Sequence, residues 1–514
     1  MNSPGDQIDL AEPHMRENLA MAGLDVDYVR ATGNTLYYLG EDGEQIPVTD
    51  FAGGYGALLL GHNHRRITEH AIALLTADTP VLAQFSRHTA AIRTAAKLNE
   101  IVQRELGTGE RFYAVFASTG AEAIEAALKH AELDRAARVA ALSSGIAASV
   151  EAARAAVAGG SAALSPDVEH FDDLARHVAE HNARVSARPP KYLALTGSFH
   201  GKLVASVQLT HNEEVRSAFA PLAAQAVFVP FNEPGALAKL VEQSRETLLD
   251  LVVQDGRVEI VEREYPVFGA FLLEPIQGEG GIHEVSAEFA AEIRQVCDAI
   301  GCPLVVDEIQ SGMGRTGSFL ASADLGLHGD YYTLAKSLGG GLAKVSVLLV
   351  RESRYRQEFE LVHSSTFAKD GFSSAIALKV LELLEADDGR IYRQARERGE
   401  RLKSMLTGLG AEFPTVVKQV RGRGLMLGLE LHDQSDSEAA LLRDFARAHI
   451  LGYVLSGFLL RRHRLRTFPT ASAVNTLRFA PSAEVSDAEI AQLETGLREL
   501  CTILRDQDEQ ALFS

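Results

Sequence analysis

VVDEIQSGMGRTG, residues Val305 to Gly317, decides the fold of this 514-residue chain. The apolar run Leu304 to Val306 reads as a short buried strand that ends on Asp307. DYYTLAKSLGGGLA, Asp330 to Ala343, repeats the plan. There the strand Tyr331–Leu334 leads into Lys336, and Gly339, Gly340 and Gly341 follow. Asp307 and Lys336 lie 29 residues apart, room for one strand–helix–strand crossover. Two polar side chains thus reach neighbouring strand ends, where ligands bind in open α/β sheets. Outward from this pair, further strands are expected at Phe112–Ala117, Tyr192–Leu195, Val267–Leu273 and Val345–Val350. Helical spacing appears at Ala121–Leu133 and Ala287–Ile300. Such alternation predicts an α/β fold around a mostly parallel sheet covered on both faces.

The last third changes character. A helical pattern runs from about Ser373 through Ala375–Leu384, breaks at Asp387–Gly389, and continues to Leu406. Strands near Val416–Val420 and Leu425–Leu431, a helix near Ser437–Ala448 and a strand at Thr476–Phe479 complete a smaller α+β domain. The expected division is an N-terminal segment (1–60) packing on the C-terminal domain, a large domain (61–372) and a small one (373–514). Two stretches look like additions to the large domain: Arg138–Pro190, rich in alanine, and Pro234–Tyr265, read as charged and helical.

Bulk composition excludes several classes. A formal net charge of -19 argues against nucleic-acid polymers, which require basic surface. Cys297, Cys302 and Cys501 form no CxxC pair, so no metal site or disulfide framework is expected. The opening MNSPGDQIDLAEP lacks a basic and an apolar leader region. The most membrane-like stretch, Val139 to Leu164, is interrupted by Glu151 and Arg154. The expectation is a cytoplasmic protein with no membrane partner.

The motifs carry a chemistry in combination. A buried carboxylate at Asp307 needs a partner, because isolated buried charge is costly. A protonated pyridine nitrogen fits, since the carboxylate favours the cationic ring and the cationic ring is the better electron sink. The amine of Lys336 can form an imine with an aldehyde. FYAVFASTGAEAIEAALKHA, Phe112 to Ala131, ends a strand at Ser118-Thr119-Gly120 and starts a helix at Ala121. Free N–H groups at such a start suit a phosphate. TGSFHGK, Thr196 to Lys202, offers the flat ring of Phe199 and the imidazole of His200. HSSTFAKDGFSSA, His363 to Ala375, offers the hydroxyls of Ser365 and Thr366 before a helix.

Together these motifs, with EPIQGEGG (Glu274 to Gly281), resemble the class III aminotransferases of the fold type I family that uses pyridoxal 5′-phosphate (PLP). The resemblance runs from about Asp27 to the last strand. It implies that Lys336 holds the cofactor as a Schiff base and shuttles a proton, and that Asp307 pairs with the pyridinium nitrogen. It implies phosphate contacts at Thr119, Gly120 and Ala121, with Phe199 on one ring face and Ile309 on the other. His200, Gln310 and Glu274 would complete the cofactor site. Ser365 and Thr366 would serve the phosphate, Thr366 across a homodimer, so that active sites are shared. The expected substrates are a small amine or amino acid and a keto acid. Glu279 and Arg478 match a pair in ω-amino-acid members, where the glutamate masks an arginine that otherwise clamps a carboxylate. Tyr55, in FAGGYGALLLGHNH, resembles a substrate-lining position.

There are departures from the family pattern. Phe367-Ala368-Lys369-Asp370-Gly371 replaces a Gly-Asn-Pro stretch, and Lys202 stands where some relatives carry a substrate-binding arginine. These keep open other PLP chemistry on the same scaffold: elimination or replacement, decarboxylation, racemisation or carbon–carbon bond formation. The run Arg461-Arg462-His463-Arg464-Leu465-Arg466 reads either as a solvated loop or as a docking patch for an anionic, nucleotide-like substrate. Gly422-Arg423-Gly424-Leu425-Met426-Leu427-Gly428 imitates a dinucleotide loop but runs into an apolar strand, so no such site is expected.

Overall fold

A computed structural model of the protein describes residues 12–512. The reading of the first residues as leader-free falls on 1–11, outside the described residues.

The largest sheet has seven strands. Its order is Phe112–Ala117, Ser346–Arg351, Tyr331–Leu334, Leu304–Asp307, Phe268–Leu273, Lys191–Leu195, Ala226–Val229. Ser346–Arg351 runs antiparallel to both neighbours, and the other six strands share one direction. The central strands are buried throughout, as expected for a sheet covered on both faces. Asp307 lies opposite Thr333 in the parallel register, three residues before Lys336. Register alone therefore brings the two predicted residues to one sheet edge.

The helix expected at Ala121–Leu133 extends without interruption from Gly120 to Ala158. It forms an added layer with the helix Phe171–Ser186 and a two-stranded hairpin, Thr247–Gln254 with Arg257–Glu264. Asn182 fastens the layer, bonding both N–H and C=O of Leu249 at 2.8 Å. The expectation of a helical 234–265 segment is corrected here: only Ala236–Gln243 is helical. TLLDLVVQ and RVEIVERE are paired antiparallel strands, the first partly buried and the second mostly exposed, and Asp255-Gly256 turns between them with both φ angles positive (52° and 73°). Asp-Gly is a strong signal for a two-residue hairpin turn.

Helix Gly371–Glu412 contains the expected break, with Asp387, Asp388 and Gly389 in the left-handed region. A four-stranded sheet follows, in the order Val417–Arg423, Met426–Leu431, Thr476–Phe479, Phe468–Pro469. Gly422 lies within the first of these strands, paired with Leu427, and Gly424 at the turn that follows, not at a helix start. The strands Tyr28–Thr32, Thr35–Leu39 and Gln45–Asp50 form a separate sheet, with Leu465–Arg466 as its fourth strand.

The arginine run corrects the reading as a solvated loop. It closes the helix Leu451–His463, and most of its charged heads are engaged internally. Arg461 donates to the carbonyls of Ala22 and Leu512, Arg464 to the Tyr38 hydroxyl, and Arg466 to Asp50 at 3.1 Å. Arg462 faces Glu499 at 3.4 Å. These arginines fasten the N-terminal sheet to a C-terminal helix, so the run is not a free loop. Among the described residues no helix is long and apolar enough to cross a membrane.

Candidate active site

A cavity of about 520 Å³ opens at the sheet edge where Asp307 and Lys336 meet. Thr119, Gly120, Ala121, Phe199, His200, Glu274, Glu279, Ile309 and Gln310 also line it. Ligand pockets commonly occupy about 300–1,000 Å³.

Asp307 is buried and hydrogen-bonded through both oxygens. One oxygen accepts from Ile309 N–H (3.1 Å) and the Thr333 hydroxyl (3.2 Å). The other lies 2.8 Å from His200 Nδ1. Burial disfavours a charged imidazole, but the hydrogen bond and charge of Asp307, with the charge of Glu274, hold His200 above its usual pKa. Beside this pair, burial pushes the Glu274 carboxyl up to about 7, and the Asp307 charge adds to the effect. Glu274 accepts from Phe199 N–H (2.9 Å) and Gly278 N–H (3.0 Å), which ties the SFHG turn to the EPIQ strand end.

Lys336 sits at φ 46°, in the left-handed region that L-residues avoid. Such strain persists only where surrounding structure enforces it, and it concentrates at functional sites. Burial lowers the pKa of its amine to about 8; Glu279 opposes the shift and Arg478 assists it. Glu279 in turn forms an ion pair with Arg478, which is 1% exposed. Burial alone would raise the Glu279 carboxyl, yet Arg478 holds it below the usual range. One guanidinium nitrogen of Arg478 has no hydrogen-bond partner. The Tyr55 ring covers this guanidinium at 4.8 Å. Tyr55 itself is half-exposed and left-handed (φ 57°), and its carbonyl accepts from Gln310 at 3.2 Å.

Five predicted residues stand outside the cavity wall: Tyr55 and Arg478 lie just behind it, against Gln310 and Glu279, and the other three stand apart. Lys202 is exposed beyond Gly201, and Ser365 and Thr366 lie on a surface loop. Sequence reasoning missed Lys344, which lines the cavity. It also missed Arg315, fully buried within GRTG. Arg315 donates to the carbonyls of Gly56 (3.0 Å), Leu425 (3.4 Å) and Pro481, fastening three distant parts of the chain. Only the GMGRTG glycine turn hinted at so close an approach of backbones.

The sequence model "Aminotransferase class-III" matches residues 19–500. The chain belongs to the class III aminotransferase family. Aminotransferase PigE from Serratia sp. is 28% identical across 95% of this chain and 52% of its own length. An acetylornithine aminotransferase from Thermosynechococcus vestitus is 34% identical across 55% of this chain and 63% of its own. The match thus spans about half of one curated relative and under two thirds of the other. Among solved structures, a transaminase from the marine bacterium Virgibacillus superposes with a TM-score of 0.68 at 20% identity, covering 94% of each chain. An ornithine aminotransferase from Toxoplasma gondii gives 0.65 at 20% identity, covering 94% of this chain and 92% of its own. These likenesses establish the fold type I architecture for this class III chain.

Class III aminotransferases use PLP, and this cavity suits that group. The N–H groups of Gly120 and Ala121 begin a long helix and reach no acceptor among the described residues. A buried carboxylate stands ready for a ring cation, and a buried amine of lowered pKa for an aldehyde. The side chains of Phe199 and Ile309 supply apolar wall between them.

Proposed function

We propose that the protein is a PLP-dependent aminotransferase that moves an amino group from an amine or amino acid to a keto acid. The observation that carries this reading is the convergence in one cavity of the Lys336 amine, the Asp307–His200 pair and the free helix start at Gly120. PLP bound there supplies an electron sink for the pair left when a substrate C–H bond breaks.

The chain's own residues then divide the work. Lys336 holds the aldehyde end, and its amine both gives and takes a proton near neutral pH because burial has lowered its pKa to about 8. Asp307 would keep the ring nitrogen protonated, and His200 braces one of its oxygens. Gly120 and Ala121 donate to the phosphate. Phe199 and Ile309 would hold the cofactor from the apolar wall, and Gln310 and Glu274 would offer it polar contacts. The test is a half-reaction. An amine donor should bleach the visible cofactor band, and a keto acid should restore it. A native substrate that turns over without bleaching the band would overturn transamination in favour of another PLP reaction.

Glu279 and Arg478 set which substrate end is accepted. While the pair is closed, an amine end enters; when it opens, Arg478 can clamp a carboxylate bidentately. Glu279→Ala is expected to shift the KM ratio toward donors carrying an α-carboxylate by about tenfold, equivalent to about 1.4 kcal/mol. Steady-state kinetics on a diamine and an α-amino acid check this. The variant should also lose thermal stability, because it leaves a buried guanidinium unpaired.

The same reading makes the protein a homodimer with shared sites. Gln84 donates to the Thr366 carbonyl (3.0 Å) and Gly371 N–H to the Val81 carbonyl (2.8 Å), so two surface loops lie together. They expose Phe85 (110%), Leu361 (91%), Val362 and Phe367. Such apolar surface beside the predicted cross-subunit residues Ser365 and Thr366 favours a second copy of this chain as its cover. Phe85→Asp with Leu361→Asp should yield a monomer by light scattering that binds PLP more weakly. A dimer of unchanged affinity would count against shared sites.

A further inference from the structure

We propose that Lys344 is the cation that neutralises the phosphate end of the cavity, a role that rests on the PLP reading above. The argument starts from what the helix beginning at Gly120 still has to offer. Its capping box uses Ser118 N–H and Thr119 N–H as donors to Glu122 Oε2, at 2.7 and 3.1 Å. Two free donors remain, on Gly120 and Ala121. The same box places a carboxylate in the first turn. A phosphate monoester carries about 1.5 to 2 negative charges near neutrality, whereas a helix N-terminus supplies roughly half a positive charge. The helix start alone therefore leaves the phosphate undercompensated beside a like charge.

Two lysines line the cavity, Lys336 and Lys344. Lys336 is buried toward Glu279 and Asp307 and is committed to the aldehyde end. His200, the remaining basic side chain on the wall, is committed to Asp307. Lys344 approaches from the other direction. The strand Ser346–Arg351 pairs antiparallel with Phe112–Ala117, and Ser346 stands opposite Ala117. The Ser346 hydroxyl donates to the Thr119 carbonyl at 2.7 Å, so the approach continues past the strand ends. Extending that register by two residues sets Lys344 beside Thr119, at the mouth of the helix start. Its side chain is exposed, with no hydrogen bond or ion pair to any described residue. A free ammonium on a flexible stem suits a point-charge contact to phosphate. Lys202, the cation expected near the site, is not on the cavity wall.

The test compares ligands that differ only at the phosphate. Cofactor-free wild type, Lys344→Ala, Lys344→Glu and Lys344→Arg are titrated with PLP and with pyridoxal, following the visible band. Inorganic phosphate serves as a competitor of PLP. Lys344→Ala should weaken PLP about tenfold, Lys344→Glu further, and Lys344→Arg little, with pyridoxal unchanged in all three. Phosphate should compete less well in the alanine variant, and high salt should narrow the gap to wild type. Unchanged PLP affinity would overturn the assignment, and so would equal losses for PLP and pyridoxal. If wild type takes up neither ligand, the cofactor reading itself fails. Uptake of both by wild type with indifferent variants overturns only the role of Lys344.

Discussion

Lys336→Ala is expected to lower turnover by about 10⁴-fold or more while leaving the protein folded. The loss is large because one side chain performs two tasks, holding the aldehyde and carrying the proton. No other amine lies deep in the cavity; Lys344 sits at its mouth on an exposed stem. The fold should survive, since truncation removes a buried amine rather than burying a new charge, and alanine pays the same left-handed φ that lysine already pays. Three measurements check the prediction. PLP should bind the variant without giving a band that borohydride fixes to protein. A single turnover with an amine donor should stall. In cofactor-free wild type, the rate of PLP capture should rise with pH through about 8 and level off above it. The sign follows from the free amine being the nucleophile, and the midpoint from burial having lowered its pKa to about 8. Residual turnover within tenfold of wild type would remove Lys336 from the chemistry.

The chain announces its central sheet because strands buried on both faces must be written as unbroken apolar runs. Leu304–Val306 and Tyr331–Leu334 are such runs, and each ends on or near a residue that needs a partner. Elsewhere the pattern is less direct. Arg257–Glu264 is charged on its exposed face, which resembles a solvated helix until Asp255-Gly256 is given its weight as a turn. The helix Leu451–His463 is apolar almost all round, so no amphipathic period marks it. The strands Tyr28–Leu39 are short and largely half-exposed, and they acquire meaning only when Leu465–Arg466 joins them from the far end of the chain.

The site follows the same division. Asp307, Lys336 and the helix start at Gly120 are legible because each sits at a strand end with its own local signature. His200 appears in the sequence as one histidine after one phenylalanine. Its bond to Asp307 spans 107 residues, and no local pattern encodes such a distance. Arg315 is hidden in the opposite way. It lies inside the most informative motif, yet its partners are three backbone carbonyls, and carbonyls leave no trace in residue type. The arginines from Arg461 to Arg466 mislead by composition: a run of charge suggests a solvated loop, whereas their heads bind carbonyls, a phenol and carboxylates of the protein itself.

Asp307→Asn is expected to produce the second largest loss, about 10²- to 10³-fold in turnover, the scale for removing one preorganised electrostatic contact. Asparagine preserves shape, and its carbonyl can still accept from Ile309 N–H and the Thr333 hydroxyl. What it lacks is the negative charge. Without that charge a ring nitrogen has no reason to stay protonated in a buried site, and the electron sink weakens. His200 loses the hydrogen bond and the charge that hold its pKa up against burial, so it should titrate at lower pH in the variant. A histidine proton signal followed against pH therefore reports the change apart from turnover. Asp307→Glu retains the charge but displaces it by a methylene, and should recover part of the rate. The comparison with Lys336→Ala is the sharper discriminator. Asp307→Asn keeps the amine that captures the aldehyde, so borohydride should still fix the cofactor to this protein while catalysis fails. A variant that loses both together would mean that Asp307 supports the pocket rather than the ring. One that turns over within tenfold of wild type would mean that the ring nitrogen does not meet this carboxylate.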